Sequence, residues 1–581
     1  MVLGATLTLF ACGGGGGGGG ASSGGGATAA SPAPPPEPVP TPLEFGEREA
    51  SRFLSQATFG PTRSEINDLV SNGPEAWLID ELEAPATLHL DFVLAGFPQD
   101  GSFFDENGNP LPGLQALPAI SHWRGIIEGE DQLRQRMAFA LSQILVVSAD
   151  STVGRAPQAL AHYVDILTRN AFGNFRDLLE EVTYSPAMAI YLTYLRNQKA
   201  DPATGRVPDE NYAREILQLF SVGLVELNPD GTPVENPDGS QVELFDNADI
   251  TGLARVFTGL SWAGTGFNTP VPRVPAPAFY SPLQMFDAFH STEAKAFLGV
   301  TIPAGTSGQD SIDMALDAIV GHPNVGPFIG RQLIQRFVTS APSPAYVERV
   351  AAAFDRGRFD LPGGDSVGDG RRGDLGAVIA AILFDDEARD AAMTADPTFG
   401  KLREPVLRFT HWARAFEVNS ADATGSSAVL QSISPDALGQ QPFLSPSVFN
   451  FYRPGYIAAG TETGAAGLTA PELQITNASS IVGYPNFILQ YAFELAPRLD
   501  PDTPRTFVPN YSPQLALADD PQALLDNLDL LLTHGTLQDD TRGRITDVLD
   551  RLAISSEADR LLRVRVASVM VMSSPEYIVL R

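Results

Sequence analysis

Residues 46–62 read GEREASRFLSQATFGPT, and their spacing decides the fold class. Ala50, Phe53, Leu54 and Ala57 fall at i, i+3, i+4 and i+7, which gathers them on one helical face, and Gly60-Pro61 ends the run. The same period recurs along the chain. Residues 63–85 give two short helices broken at Asn72-Gly73-Pro74. QLRQRMAFALSQILVVS, residues 132–148, predicts a nearly all-apolar and therefore buried helix from about Gln132 to Val147. Further helical stretches follow, and the last sixty residues read as helix pairs. Strand-like patterning is sparse. Two Asn-Pro-Asp-Gly turns at 228–231 and 236–239 flank short strand-like pieces, which predicts a hairpin excursion or an irregular loop. The expected class is mainly α: a large multi-helix globular domain with a few short strands or hairpins in loops.

The N-terminal region is different. Residues 1–11, MVLGATLTLFA, are apolar but too few to span a bilayer as a helix. They fit the apolar part of a signal peptide that lacks a basic start, either truncated there or a poor signal. Leu9-Phe10-Ala11-Cys12 resembles a bacterial lipobox, and Cys12 is the one cysteine of the chain. Cys12 is thus the expected lipidation site. Residues 12–43, rich in Gly and then Pro, form a flexible tether with a reach of roughly 30 Å. The folded body is expected over 44–581. Gly13 follows Cys12, where an Asp would signal inner-membrane retention. The expected location is therefore exported and lipid-anchored at the cell envelope, on the outer membrane.

The net charge of −31 argues against nucleic acid as a partner, because phosphate binding needs a basic footprint. With a single cysteine, neither an internal disulfide nor a Cys-based metal site is possible. No nucleophile elbow, zinc-protease motif, P-loop or dinucleotide fingerprint occurs, and no cofactor is called for.

Four residues carry candidate chemistry. Arg214 and Glu215 lie with Asn211 and Gln218 on a helix begun by Asp209 and stopped by Gly223, and otherwise apolar. Such a polar cluster implies a network that fixes packing, or an active site with Glu215 as base. His290, with Glu293 and Lys295 close by, offers acid–base chemistry or a loop anchor. His122-Trp123 and His411-Trp412 read as packing at a helix surface, and His162 as a core-edge histidine. Asp360, Asp365, Asp369 and Asp374 stand in a Gly-rich loop. Asp365 and Asp369 are the calcium candidates there, although the spacing is not that of an EF-hand. The aromatics near Phe279-Tyr280 and from Phe449 to Tyr456 suggest sugar or peptide contact, or packing against helices.

Several blocks together resemble one bacterial family. They are ASRFLSQATFGPT (50–62), NYARE (211–215), DITGLARVFTGLSW (249–262), FLGVTIPAG (297–305), HPNVGPFIGRQLIQRFV (322–338), KLREP (401–405), LGQQPFLSP (438–446) and SPEYIVLR (574–581). The family is that of domain of unknown function 1800. The resemblance implies an exported, helix-rich protein without an established activity. It also implies a partner: an exported protein resembling domain of unknown function 1501, itself similar to the alkaline phosphatase and sulfatase fold. Many members carry Trp-His-Asn-His-Phe where this chain has Leu141-Ser142-Gln143-Ile144-Leu145. Many carry a His at the position of Phe220, and a His-Asp pair where His290-Ser291 precedes Lys295. A metal site built from those histidines would be lost in this branch. The expectation is a non-catalytic envelope binding or assembly protein. The alternative is an envelope or extracellular hydrolase with an unfamiliar site around Glu215 and His290.

Overall fold

The computed structural model describes residues 45–97, 113–418, 432–495 and 507–581. The lipobox, the tether and Cys12 lie outside the described residues. The body, Phe45–Arg581, is one compact unit. Of the described residues 53% are helical, and the described strands form four two-stranded antiparallel pairs.

The opening helix is Glu47–Ala57, and Ala50, Phe53, Leu54 and Ala57 are all fully buried. It stops before Gly60, whose φ of +119° and close approach to His411 leave no room for a Cβ. The next helix, Arg63–Asn72, starts at a capping box in which Thr62 and Glu65 bond each other's backbone amides. Gly73, at φ +84°, separates it from Pro74–Glu83.

The buried helix ends earlier than its apolar pattern predicts. It runs Gln132–Ser142, and residues 144–147 leave it. The Ile144 and Leu145 amides still bond to the Leu141 carbonyl, and from the Leu145 carbonyl onward the partners are distant in sequence. Tyr163 donates from its hydroxyl to the Leu145 carbonyl, and Ala149 donates to the Phe443 carbonyl at 2.8 Å. Ser148 Oγ donates to the Ser445 carbonyl at 2.7 Å. Apolar periodicity cannot distinguish a buried helix from a buried extended segment held in this way.

The Asn-Pro-Asp-Gly region is a β excursion. Isolated bridges join Val225 to Glu243, Leu227 to Pro233 and Glu235 to Gln241, with Gly231 and Gly239 at positive φ in the turns. The strand Lys401–Leu402 pairs with Val579–Leu580, which ties the C-terminal end of the chain to the centre of the core.

Candidate functional site

The strand at Lys401 leads directly into the helix Pro405–Ala415, and Glu404 sits at its N-cap. Glu404 makes no capping bond, because its carboxylate is turned into the core. There its Oε2 accepts from Gln143 Nε2 at 2.6 Å, Gln440 Nε2 at 2.5 Å and Tyr452 Oη at 2.8 Å. Burial and the nearby Glu404 charge hold Tyr452 far above the usual phenol range, so it remains a donor.

A second carboxylate lies close by. Glu472 Oε1 is 3.4 Å from Lys401 Nζ, and Ser340 Oγ donates to Glu472 Oε2 at 2.9 Å. Lys401 also donates to the Arg336 carbonyl at 2.7 Å. Burial pushes Glu472 up and Lys401 down, and the attraction within the pair opposes both shifts. Arg336 donates to the carbonyls of Gln332 and Gln143 at 2.8 and 3.2 Å. Arg136 donates to the Arg336 carbonyl and lies over the Phe337 ring at 4.8 Å. Burial lowers Arg136 to about 10, which leaves it charged at neutral pH. Three cations and two carboxylates thus share one buried interior. Residues from four of the blocks quoted above meet here, those containing Arg336, Lys401, Gln440 and the strand Val579–Leu580.

On one side the network opens into a narrow cleft. Ser142, Gln143, Gln440, Gln441, Ser445 and Asn450 line it, with Phe139 and Phe443 as apolar walls. Its free space, about 10 Å³, has room for the centre of about one water molecule. Four buried polar atoms of these lining residues have no partner within the protein: Gln143 Oε1, Gln441 Oε1, Ser445 Oγ and Asn450 Nδ2. Each such atom left unmet costs about 1–3 kcal/mol, so a water or a ligand group is expected between them. The backbone is held in an uncommon state here as well. Phe443 and Asn450 have φ of +60° and +59°. For Phe443 that conformation stores strain, which its surroundings must over-determine. Behind the Phe443 ring, 4.8 Å away and edge-on, lies His122. Both His122 nitrogens lack a partner, and burial keeps the ring neutral. The groups facing the cleft are amides and hydroxyls, which exchange hydrogen bonds without a net charge.

The sequence candidates lie elsewhere. The helix Asn211–Gln218 begins after Glu210, with Asp209 accepting from the Asn211 amide at 2.9 Å, and it ends five residues short of Gly223. Glu215 is buried with Oε2 unpartnered; burial raises its pKa, and Arg214 opposes the rise. Arg214 itself points outward, 3.5 Å from Glu210 and 3.5 Å from Asn247. Asn211 reaches Thr193 at 3.4 Å, and Gln218 is half-buried. His290 Nδ1 lies 2.9 Å from the Thr258 carbonyl, and Nε2 lies 3.3 Å from Ser311 Oγ. Lys295 is buried on a hairpin strand and donates to the Glu293 carbonyl at 3.3 Å. His290 and Lys295 are within electrostatic reach of each other, as are Glu215 and Arg214. The two pairs share no hydrogen bond or ion pair among the described residues.

His122-Trp123 and His411-Trp412 are inside the core, not at a helix surface. His411 Nε2 lies 2.8 Å from the Leu531 carbonyl, and Trp412 donates to Tyr511 at 3.4 Å. Asp369 pairs with Arg371 at 2.7 Å, and Asp374 caps the helix Leu375–Leu383. Asp365 is exposed beside them. Among the described residues, no group of three His, Cys, Asp or Glu is placed to hold a metal ion. Ser142, at one position where the resemblance implies a histidine, lines the cleft; Ile144 and Phe220 are buried in the core.

Sequence reasoning missed the Glu404–Lys401–Glu472 network. Its available signal was the charged run Lys401 to Glu404 next to a long apolar helix; Glu472, in a short turn, carried none.

No curated protein and no solved structure matches the chain. Residues 52–579 match the family described as protein of unknown function (DUF1800), nearly the whole chain, and the protein belongs to that family.

Proposed function

We propose that the protein is an exported, lipid-anchored binding or assembly protein of the cell envelope. It is held to the membrane through Cys12 and acts through the amide-lined cleft on another exported protein, of the kind resembling domain of unknown function 1501. The observation that carries this reading is four buried amide and hydroxyl atoms without a partner in the protein, all on residues that line one narrow cleft. Side-chain amides offer a donor and an acceptor together, which suits a backbone amide of a partner. A partner group that enters this space would supply the hydrogen bonds those atoms lack, in place of the water expected there. Behind the cleft Lys401 is paired with Glu472, and Glu404 is held by Gln143, Gln440 and Tyr452, which favours recognition over proton transfer.

Co-purification from detergent-solubilised membranes tests the reading. Ser445→Val removes the hydroxyl and takes up the one-water space, and should lose an exported partner that the unaltered chain retains, with the thermal unfolding midpoint reporting that the variant is folded. Equal retention by a folded Ser445→Val variant would refute the use of the cleft.

A further inference from the structure

A second pocket lies between the helices Pro405–Ala415 and Ala478–Ala492. Helical spacing builds its walls. Pro405 and Arg408 stand one turn apart on the first helix, and Ile481 and Tyr484 one turn apart on the second. Leu402 and Ile475 close the sides. The pocket holds about 270 Å³, at the lower edge of the range for small-molecule sites.

Arg408 is the one charged residue in this lining, and it is 8% exposed. Its Nε donates to the Arg403 carbonyl at 2.6 Å, and its guanidinium lies 4.9 Å from the centre of the Tyr484 ring. Nη1 and Nη2 make no hydrogen bond or ion pair among the described residues. Neither nitrogen is sealed, because water can still reach both. With the rest of the side chain buried, that access runs through the pocket.

The fold supplies this cation with no counter-ion in contact. Glu404 stands four residues before Arg408, the spacing of a helical ion pair. Its carboxylate instead accepts from Gln143, Gln440 and Tyr452, and Glu472 pairs with Lys401. Both carboxylates act on Arg408 only through space. Burial disfavours the Arg408 charge, yet a guanidinium stays protonated at neutral pH. A nearly buried cation with two nitrogens unmet costs free energy that an entering anion would recover. The pocket's hydroxyls are already spent: Thr476 Oγ1 donates to the Glu472 carbonyl at 3.2 Å, and Ser480 Oγ to the Ile475 carbonyl at 3.1 Å.

We propose that this pocket binds a small carboxylate with a short hydrocarbon chain, the carboxylate bridging Arg408 Nη1 and Nη2 and the chain lying against Leu402, Ile475 and Ile481. A planar carboxylate matches the guanidinium fork, and the walls beside it are largely apolar.

Calorimetric titration of the full chain in nonionic detergent, against a detergent blank, tests this with hexanoate as probe. 1-Hexanol is its uncharged counterpart, and acetate lacks its chain. Hexanoate should bind saturably and at least about tenfold more tightly than either. Arg408→Met, which removes the cation, and Ile481→Glu, which places a like charge at the mouth, should each weaken it by about tenfold. Ile481 is 62% exposed, so its variant keeps the test open if Arg408→Met fails to fold. No saturable binding of hexanoate, equal binding of 1-hexanol or acetate, or hexanoate affinity unchanged in either folded variant would overturn the proposal.

Discussion

Lys401 Nζ and Glu472 Oε1 stand 3.4 Å apart with both side chains sealed from solvent. The pair joins the strand that enters the Pro405–Ala415 helix to the short turn Pro471–Ile475. Removing one partner strands the other charge in the core. Lys401→Met should therefore destabilise the body by about 3–5 kcal/mol, and Lys401→Met combined with Glu472→Leu should recover much of that loss. Urea unfolding midpoints of the single and double variants give the comparison.

The backbone at the cleft gives a second expectation. Asn450 sits at φ +59°, which asparagine tolerates and a β-branched residue does not. Asn450→Val should lower stability by about 1–3 kcal/mol, whereas Asn450→Gly should hold the backbone nearly unchanged. Thermal unfolding separates the two.

Titration of buried groups gives opposite pH dependences that can be checked residue by residue. Burial lowers His89 to about 4, so between that value and about 6.5 the unfolded chain binds a proton that the folded chain refuses. Relative to His89→Gln, the unaltered protein should lose stability as pH falls through that window, by up to about 3 kcal/mol. Burial pushes Glu81 up to about 7, so here the folded chain holds the extra proton. Relative to Glu81→Gln, the unaltered protein should gain stability as pH falls from about 7 towards 4.5. Denaturant midpoints measured across pH give both differences.

The proposed anchor makes a separate prediction. Cys12→Ser should abolish metabolic incorporation of a palmitate analogue and move the protein from the membrane fraction to the soluble fraction. Retention of label by the variant would place the lipid elsewhere.

Much of the fold was legible because helical periodicity is a local property. Ala50, Phe53, Leu54 and Ala57 announce a buried face, and Asn72-Gly73-Pro74 announces a break, without any tertiary information. The end of the buried helix was not legible. Ile144 to Val147 are as apolar as the helix before them, and only distant partners such as Phe443 and Ser445 draw that segment out. The cleft and its charge network were hidden for a related reason. Lysine and glutamate are read as surface by default, and nothing near Glu472 in sequence marks it as the counter-ion of Lys401. The polar stripe Asn211 to Gln218 was visible by spacing. Spacing did not show that Arg214 turns to solvent while Glu215 stays buried.

In-cell photocrosslinking from Gln441, compared with a probe at the exposed Glu348 on the helix Pro344–Arg356, tests the central claim most directly. A binding role at the cleft predicts one dominant adduct from Gln441, with an exported protein of the domain of unknown function 1501 type. That adduct should be absent from Glu348 and lost in Ser445→Val. No adduct, or the same adducts from both positions, would contradict it.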